Sequence, residues 1–212
     1  ARPDLAVAVY QSDKGTFATK AALLFGKGGR SFEGPVEGPP VSGATGVAIA
    51  PPEHDLPARM VFANSQGGHV DEYADLLLYW NGRDGFSTEN CLRIPFTSGY
   101  EATAADLNAD GFTDLIELCS GHAGGAVAEA MSHLGANIFW GSETGFNLEN
   151  PTVLREWFLY ASNTADLDKD GYLDLVLGAF APPSGEEQHL LIIYYGGPSG
   201  FTQERRTAIP SP

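Results

Sequence analysis

The chain has 212 residues and a formal net charge of −15, from 27 acidic against 12 basic side chains. A surface of that sign repels nucleic acid and anionic lipid, and no apolar run approaches the roughly 20 residues of a membrane span, so neither nucleic acid nor membrane insertion is expected. Apolar residues make up 43% of the chain, beside 26 glycines and 14 prolines, which suits a packed core interrupted by many turns.

In chain order, the first apolar run follows Asp4, and the second ends at Leu24-Phe25-Gly26, with Phe32 beyond a glycine-rich turn. Next come Gly46 to Ala50 and the segment Pro51-Pro52-Glu53-His54-Asp55-Leu56-Pro57-Ala58-Arg59. A further run ends at Tyr79-Trp80-Asn81, followed by Gly85-Phe86. The stretch Ala105-Asp106-Leu107-Asn108-Ala109-Asp110-Gly111-Phe112-Thr113-Asp114 opens the second half, and Phe139-Trp140-Gly141 leads to Gly145-Phe146. The pattern then returns as Ala165-Asp166-Leu167-Asp168-Lys169-Asp170-Gly171-Tyr172-Leu173-Asp174, with Tyr194-Tyr195-Gly196 and Gly200-Phe201 behind it.

The two acidic stretches carry the chemistry. Each sets carboxylate or carboxamide oxygens at positions 1, 3 and 5, a glycine at 6 and an aspartate at 9. A hard cation takes six to eight oxygens at about 2.3–2.6 Å, and alternate residues of a tight loop can supply them around a glycine bend. Asp106, Asn108, Asp110 and Asp114 are the candidate ligands of one calcium ion, with the Phe112 carbonyl. Asp166, Asp168, Asp170 and Asp174, with the Tyr172 carbonyl, are those of a second. An EF-hand is excluded, because Leu177 stands at position 12 of the second loop and short β-rich runs, not helices, flank both. In the 51–59 segment Pro51 and Arg59 replace the first and last acids and Leu56 replaces the glycine, so no metal is expected there. Arg59 is expected to pair with Glu53 or Asp55 instead.

Phe32, Phe86, Phe146 and Phe201 recur at intervals of 54, 60 and 55 residues, a period that marks blades of a β-propeller. Position 9 to the glycine-turn residue spans 22 residues from Asp4, Arg59 and Asp174, and 27 from Asp114, so one repeat carries an insertion. The loops, the strand after each and the G-F turns together resemble the FG-GAP/VCBS repeat family, the calcium-loop propellers of integrin α-subunit heads and many bacterial secreted proteins. The expected fold is therefore all-β: a single propeller or propeller segment over 1–212, of four-stranded antiparallel blades at 44–98, 99–157 and 158–212, with a truncated blade at 1–43. Because Asp4 aligns with Asp174, the first blade is expected to lack its inner strand, so the chain is read as part of a longer propeller or one protomer of an assembly.

Meander topology puts metal loops and G-F turns on one end and the remaining connections on the other. His69, Tyr73, His122, His133, Trp157 and His189 all sort to that second end, where they are candidates for a shallow glycan or polypeptide site. Equally, histidines collect there because loops are polar. No G-x-S-x-G, H-E-x-x-H or phosphate-loop pattern is present, so the chain is not expected to be an enzyme. A His–Tyr acid/base pair of the kind a polysaccharide lyase uses is the catalytic alternative. Cys91 and Cys119 fall in adjacent blades and are either a disulfide or two buried thiols. The expected function is a secreted or cell-surface binding or adhesion module with structural calcium. The alternatives are strand-complemented self-assembly and a domain of a polysaccharide-degrading enzyme.

Overall fold

In the computed structural model the described residues are 4–65, 74–83, 85–94, 99–119, 134–157, 159–179 and 189–210. They form fifteen strands and one short 3-10 turn. Strands β1 (Leu5–Val7), β2 (Ala18–Gly28) and β3 (Ser31–Ser42) make a three-stranded sheet. Three four-stranded sheets follow: β4 (Ala44–Ala50), β5 (Arg59–Asn64), β6 (Leu76–Trp80) and β7 (Cys91–Ile94); β8 (Gly99–Ala105), β9 (Asp114–Cys119), β10 (Gly135–Phe139) and β11 (Thr152–Leu154); β12 (Leu159–Ala165), β13 (Asp174–Ala179), β14 (His189–Tyr194) and β15 (Arg206–Pro210). Every sheet is an antiparallel meander in sequence order. The arrangement is all-β and propeller-like.

Strand alternation makes the sheets stack. In β5, Met60 and Phe62 face the first sheet while Val61 and Ala63 face the third, and all four are buried. In β9, Leu115 packs toward the second sheet, whereas Ile116 and Leu118 pack toward the fourth. Central strands of the middle sheets are thus apolar on both faces, which is why they read as continuous hydrophobic runs such as Leu76-Leu77-Leu78-Tyr79. Trp80 and Trp140, at the ends of third strands, pack against two of these inter-sheet cores. Trp140 also stacks on Phe201 with ring centroids 6.3 Å apart, and its indole N–H donates to Thr152 Oγ1 at 2.9 Å. Cys91 and Cys119 are separate thiols, which settles the open choice against a disulfide. No helix among the described residues is long and apolar enough to cross a membrane.

Candidate metal centre

The acidic loops join β8 to β9 and β12 to β13, and they repeat each other bond for bond. At position 1, Asp106 Oδ1 accepts from Asp110 N at 3.1 Å and Oδ2 from Gly111 N at 3.0 Å. Asp166 does the same with Asp170 N at 3.2 Å and Gly171 N at 3.1 Å. At position 3, Asn108 Oδ1 and Asp168 Oδ1 accept from the same two amides, Asp110 N and Asp170 N. At position 5, Asp110 and Asp170 accept from Phe112 N and Tyr172 N, each at 2.9 Å. The backbone winds through left-handed conformations at position 4 (Ala109 φ 58°, Lys169 φ 65°) and position 6 (Gly111 φ 90°, Gly171 φ 95°). Glycine meets the second of these without strain, while Ala109 and Lys169 are held there against their preference.

The position-9 aspartates are the anchors of the loops. Asp114 Oδ2 accepts from Leu107 N at 2.8 Å and Oδ1 from Gly141 N at 2.7 Å. Asp174 makes the equivalent bonds to Leu167 N at 2.8 Å and Gly196 N at 2.9 Å. Asp4 Oδ1 bonds Gly26 N at 2.8 Å, so position 9 is tied to the glycine turn in the first sheet as well. Glycine is required at 141 and 196 because a Cβ would lie 2.3 and 2.2 Å from the carbonyl oxygens of Thr113 and Leu173. Burial pushes the Asp114 carboxyl up to about 6, with Asp110 and Asp106 adding to the rise and the two N–H donors opposing it.

The two loops differ in their acids. Asp166, Asp168 and Asp174 each bring a carboxylate oxygen to within 4.8 Å of the others, and they are the one such group of acids, histidines or cysteines among the described residues. Asp170 lies outside that trio. In the first loop an amide stands at position 3, and Asn108 Nδ2 donates to Asp110 Oδ2 at 2.9 Å, so that loop has one carboxylate fewer to converge. An all-oxygen donor set with a carboxylate triad fits a hard divalent cation. The loops also differ in setting: Leu107 at position 2 is fully buried against the fourth sheet, whereas its counterpart Leu167 is 48% exposed.

The 51–59 segment keeps the shape of a loop after losing its ligands. His54, at position 4, has φ 51°, and Glu53 and Leu56 form a small antiparallel bridge. Arg59 is buried and ion-paired with Glu53, with its guanidinium 4.6 Å above the Phe146 ring. Asn81 N, at the place where Gly141 and Gly196 bond an aspartate, donates instead to the Ala58 carbonyl at 2.9 Å. Burial alone would raise the Glu53 carboxyl, but the Thr113 hydroxyl, the Arg59 guanidinium and the Thr113 N–H together hold it below the usual range.

Of the other candidates, Trp157 lies in a bend after β11 and is 60% exposed. His189 begins β14. His69, Tyr73, His122 and His133 lie outside the described residues, so the ligand site read from the sequence is not assembled here. Sequence reasoning missed Glu117, a fully buried acid on β9, although its place between Ile116 and Leu118 in an apolar strand was the signal. It also missed the contacts that the 51–59 segment makes with its neighbour. No family model matches the chain.

Proposed function

We propose that this chain is a calcium-stabilised β-propeller segment that serves outside the cytosol as a binding or adhesion module. The observation that carries the reading is the carboxylate triad of Asp166, Asp168 and Asp174 on a loop whose turn is reproduced, bond for bond, by 106–114. Asp106, Asn108, Asp110, Asp114 and the Phe112 carbonyl would hold one ion; Asp166, Asp168, Asp170, Asp174 and the Tyr172 carbonyl a second. Calcium's role is structural: it neutralises clustered carboxylates at the strand junctions, and the resemblance to FG-GAP/VCBS repeats supports the same view. Millimolar extracellular calcium suits such exposed loops. A glycan or an extracellular protein is the partner class, and exposed Trp157 offers it an aromatic face. Calorimetric titration is expected to show two calcium ions per chain. Asp166→Asn with Asp168→Asn removes the 166–174 ion alone, and a chain that takes up no calcium ends the reading.

A second reading, self-assembly, rests on a specific exposure pattern. Leu5 and Val7 correspond in register to Leu175 and Leu177, which are fully buried, yet Leu5 is 45% and Val7 44% exposed. At the far end Leu167 is the exposed counterpart of buried Leu107. These are complementary faces of one repeating sheet–sheet contact, so a second copy could stack head to tail on the first. Light scattering is then expected to show a concentration-dependent mass that Val7→Glu abolishes; a constant monomer mass for the parent chain refutes self-assembly.

A further inference from the structure

The 51–59 segment has lost its metal pattern but not its contact with the loop beside it. Glu53 Oε2 accepts from both Thr113 N at 3.1 Å and Thr113 Oγ1 at 2.6 Å, two sheets being joined across sixty residues of sequence. Its other oxygen is held by the buried Arg59. His54 Nε2 lies 3.3 Å from the Gly111 carbonyl oxygen, and its ring sits 4.7 Å from that of Phe112. Gly111, Phe112 and Thr113 are consecutive, they precede the anchor Asp114, and they include the carbonyl expected at position 7. The segment therefore grips the half of the 106–114 loop that closes the metal cage.

Among the described residues, nothing equivalent holds the second loop. The residue at its position 8 is Leu173, which has no hydroxyl, and the residue across from it at position 3 is Asn108, whose amide is turned onto Asp110. The loop with fewer converging carboxylates is thus the one with an external brace.

We infer that the 51–59 segment is a positioning clamp, in which Glu53, locked by Arg59, and His54 preorganise residues 111–113 and so raise the calcium affinity of the 106–114 loop. The inference rests on the calcium reading above. Its physical basis is that a loop already ordered before the ion arrives spends less of the binding free energy on ordering. Arg59 takes the role that a bound cation would have had in its own segment, neutralising Glu53, and Glu53 passes that rigidity to its neighbour.

The test isolates each loop. In a background where Asp166→Asn and Asp170→Asn silence the second loop, calcium titration of the remaining site compares Thr113 with Thr113→Val, Thr113→Ser and His54→Asn. Glu53→Ala is avoided because it would strand a buried guanidinium, and asparagine is used at 54 because it tolerates a left-handed backbone. Thr113→Val and His54→Asn are each expected to weaken binding roughly tenfold, as outer-shell changes at metal sites do, while Thr113→Ser restores it. In the reciprocal background, with Asp106→Asn and Asp110→Asn, the same substitutions are expected to leave the second loop within twofold of its parent. Unchanged affinity at the first loop overturns the clamp, and so does equal weakening of both loops, which would mark general destabilisation. Absence of calcium uptake by the unsubstituted chain would instead strike at the calcium reading itself. If Thr113→Val proves unfolded, His54→Asn carries the comparison alone.

Discussion

Between pH 5 and 8 the chain is expected to lose stability to denaturant steadily, and Glu117→Gln is expected to remove much of that slope. Glu117 is fully buried on β9, between the second and third sheets. Its Oε2 accepts from Asn137 Nδ2 at 2.7 Å, while Oε1 has no hydrogen-bond partner among the described residues. The same interface presents Ala102, Val61, Ala63, Leu76, Leu78 and Phe139, and no ion pair joins Glu117 to a cation among the described residues. Burial accordingly pushes the carboxyl from 4.5 up to about 8, against the single opposing bond from Asn137. The folded chain thus keeps this proton up to about pH 8, whereas the unfolded chain releases it near 4.5. Across that window the native state binds more protons, so stability falls as pH rises, by at most about 1.4 kcal/mol per pH unit from this group. Stability from the neutral acid is fully present below the lower value and lost above the upper one.

Glutamine has the shape of the protonated acid and cannot ionise. At pH 8 the Glu117→Gln chain is therefore expected to be more stable by a few kcal/mol in order of magnitude, and at pH 4.5 the two should converge. The difference between the two chains, measured by urea melts in chelator, cancels the carboxyls they share, including Asp114. Parallel curves from pH 5 to 8 would mean that Glu117 is already ionised or solvated in the folded chain.

Removing calcium is the second large effect. If each ion is held at about 100 times its dissociation constant, mass action contributes about 2.7 kcal/mol per site. Two sites then lower the melting temperature by roughly 10–20 °C on chelation, at about 2–4 °C per kcal/mol for a chain of this size. The anchors should behave differently from the other ligands. Asp166→Asn is expected to lower the melt mainly when calcium is present, because in chelator it costs only one of two exposed bonds, to Asp170 N or Gly171 N. Asp174→Asn is expected to lower it in chelator too, by roughly 1–3 kcal/mol, because it sets an amide N–H against Leu167 N or Gly196 N inside the core. An identical melting temperature with calcium and with chelator would mean that both loops stand without an ion.

Local rules made the architecture legible. Short apolar runs with alternating faces dictate strands, and glycine-containing turns at a steady interval dictate successive meanders, so the all-β character followed from residues such as Leu76 to Trp80 and Asp174 to Ala179. The loop turns were equally local: aspartates at alternate positions cap the amides two to five residues ahead, and that is bonding within a single nonapeptide. The tie between position 9 and the glycine turn is likewise made within one sheet, by a side chain reaching that sheet's own glycine amide.

What escaped the sequence lies between sheets. Arg59 and Glu53 could be paired on paper, but Thr113 as the second partner of Glu53 could not, since sixty residues separate them and only stacking brings them together. The same holds for Glu117, whose place in an apolar strand does not say which surface arrives to bury it. The two acidic loops differ in sequence at positions such as 3 and 8, but tertiary structure alone gives them different settings, burying Leu107 and leaving Leu167 in water. Backbone bonds and turn preferences act over a few residues and so are written in order along the chain. Burial and desolvation depend on which surface arrives from elsewhere, and only the packed sheets decide that.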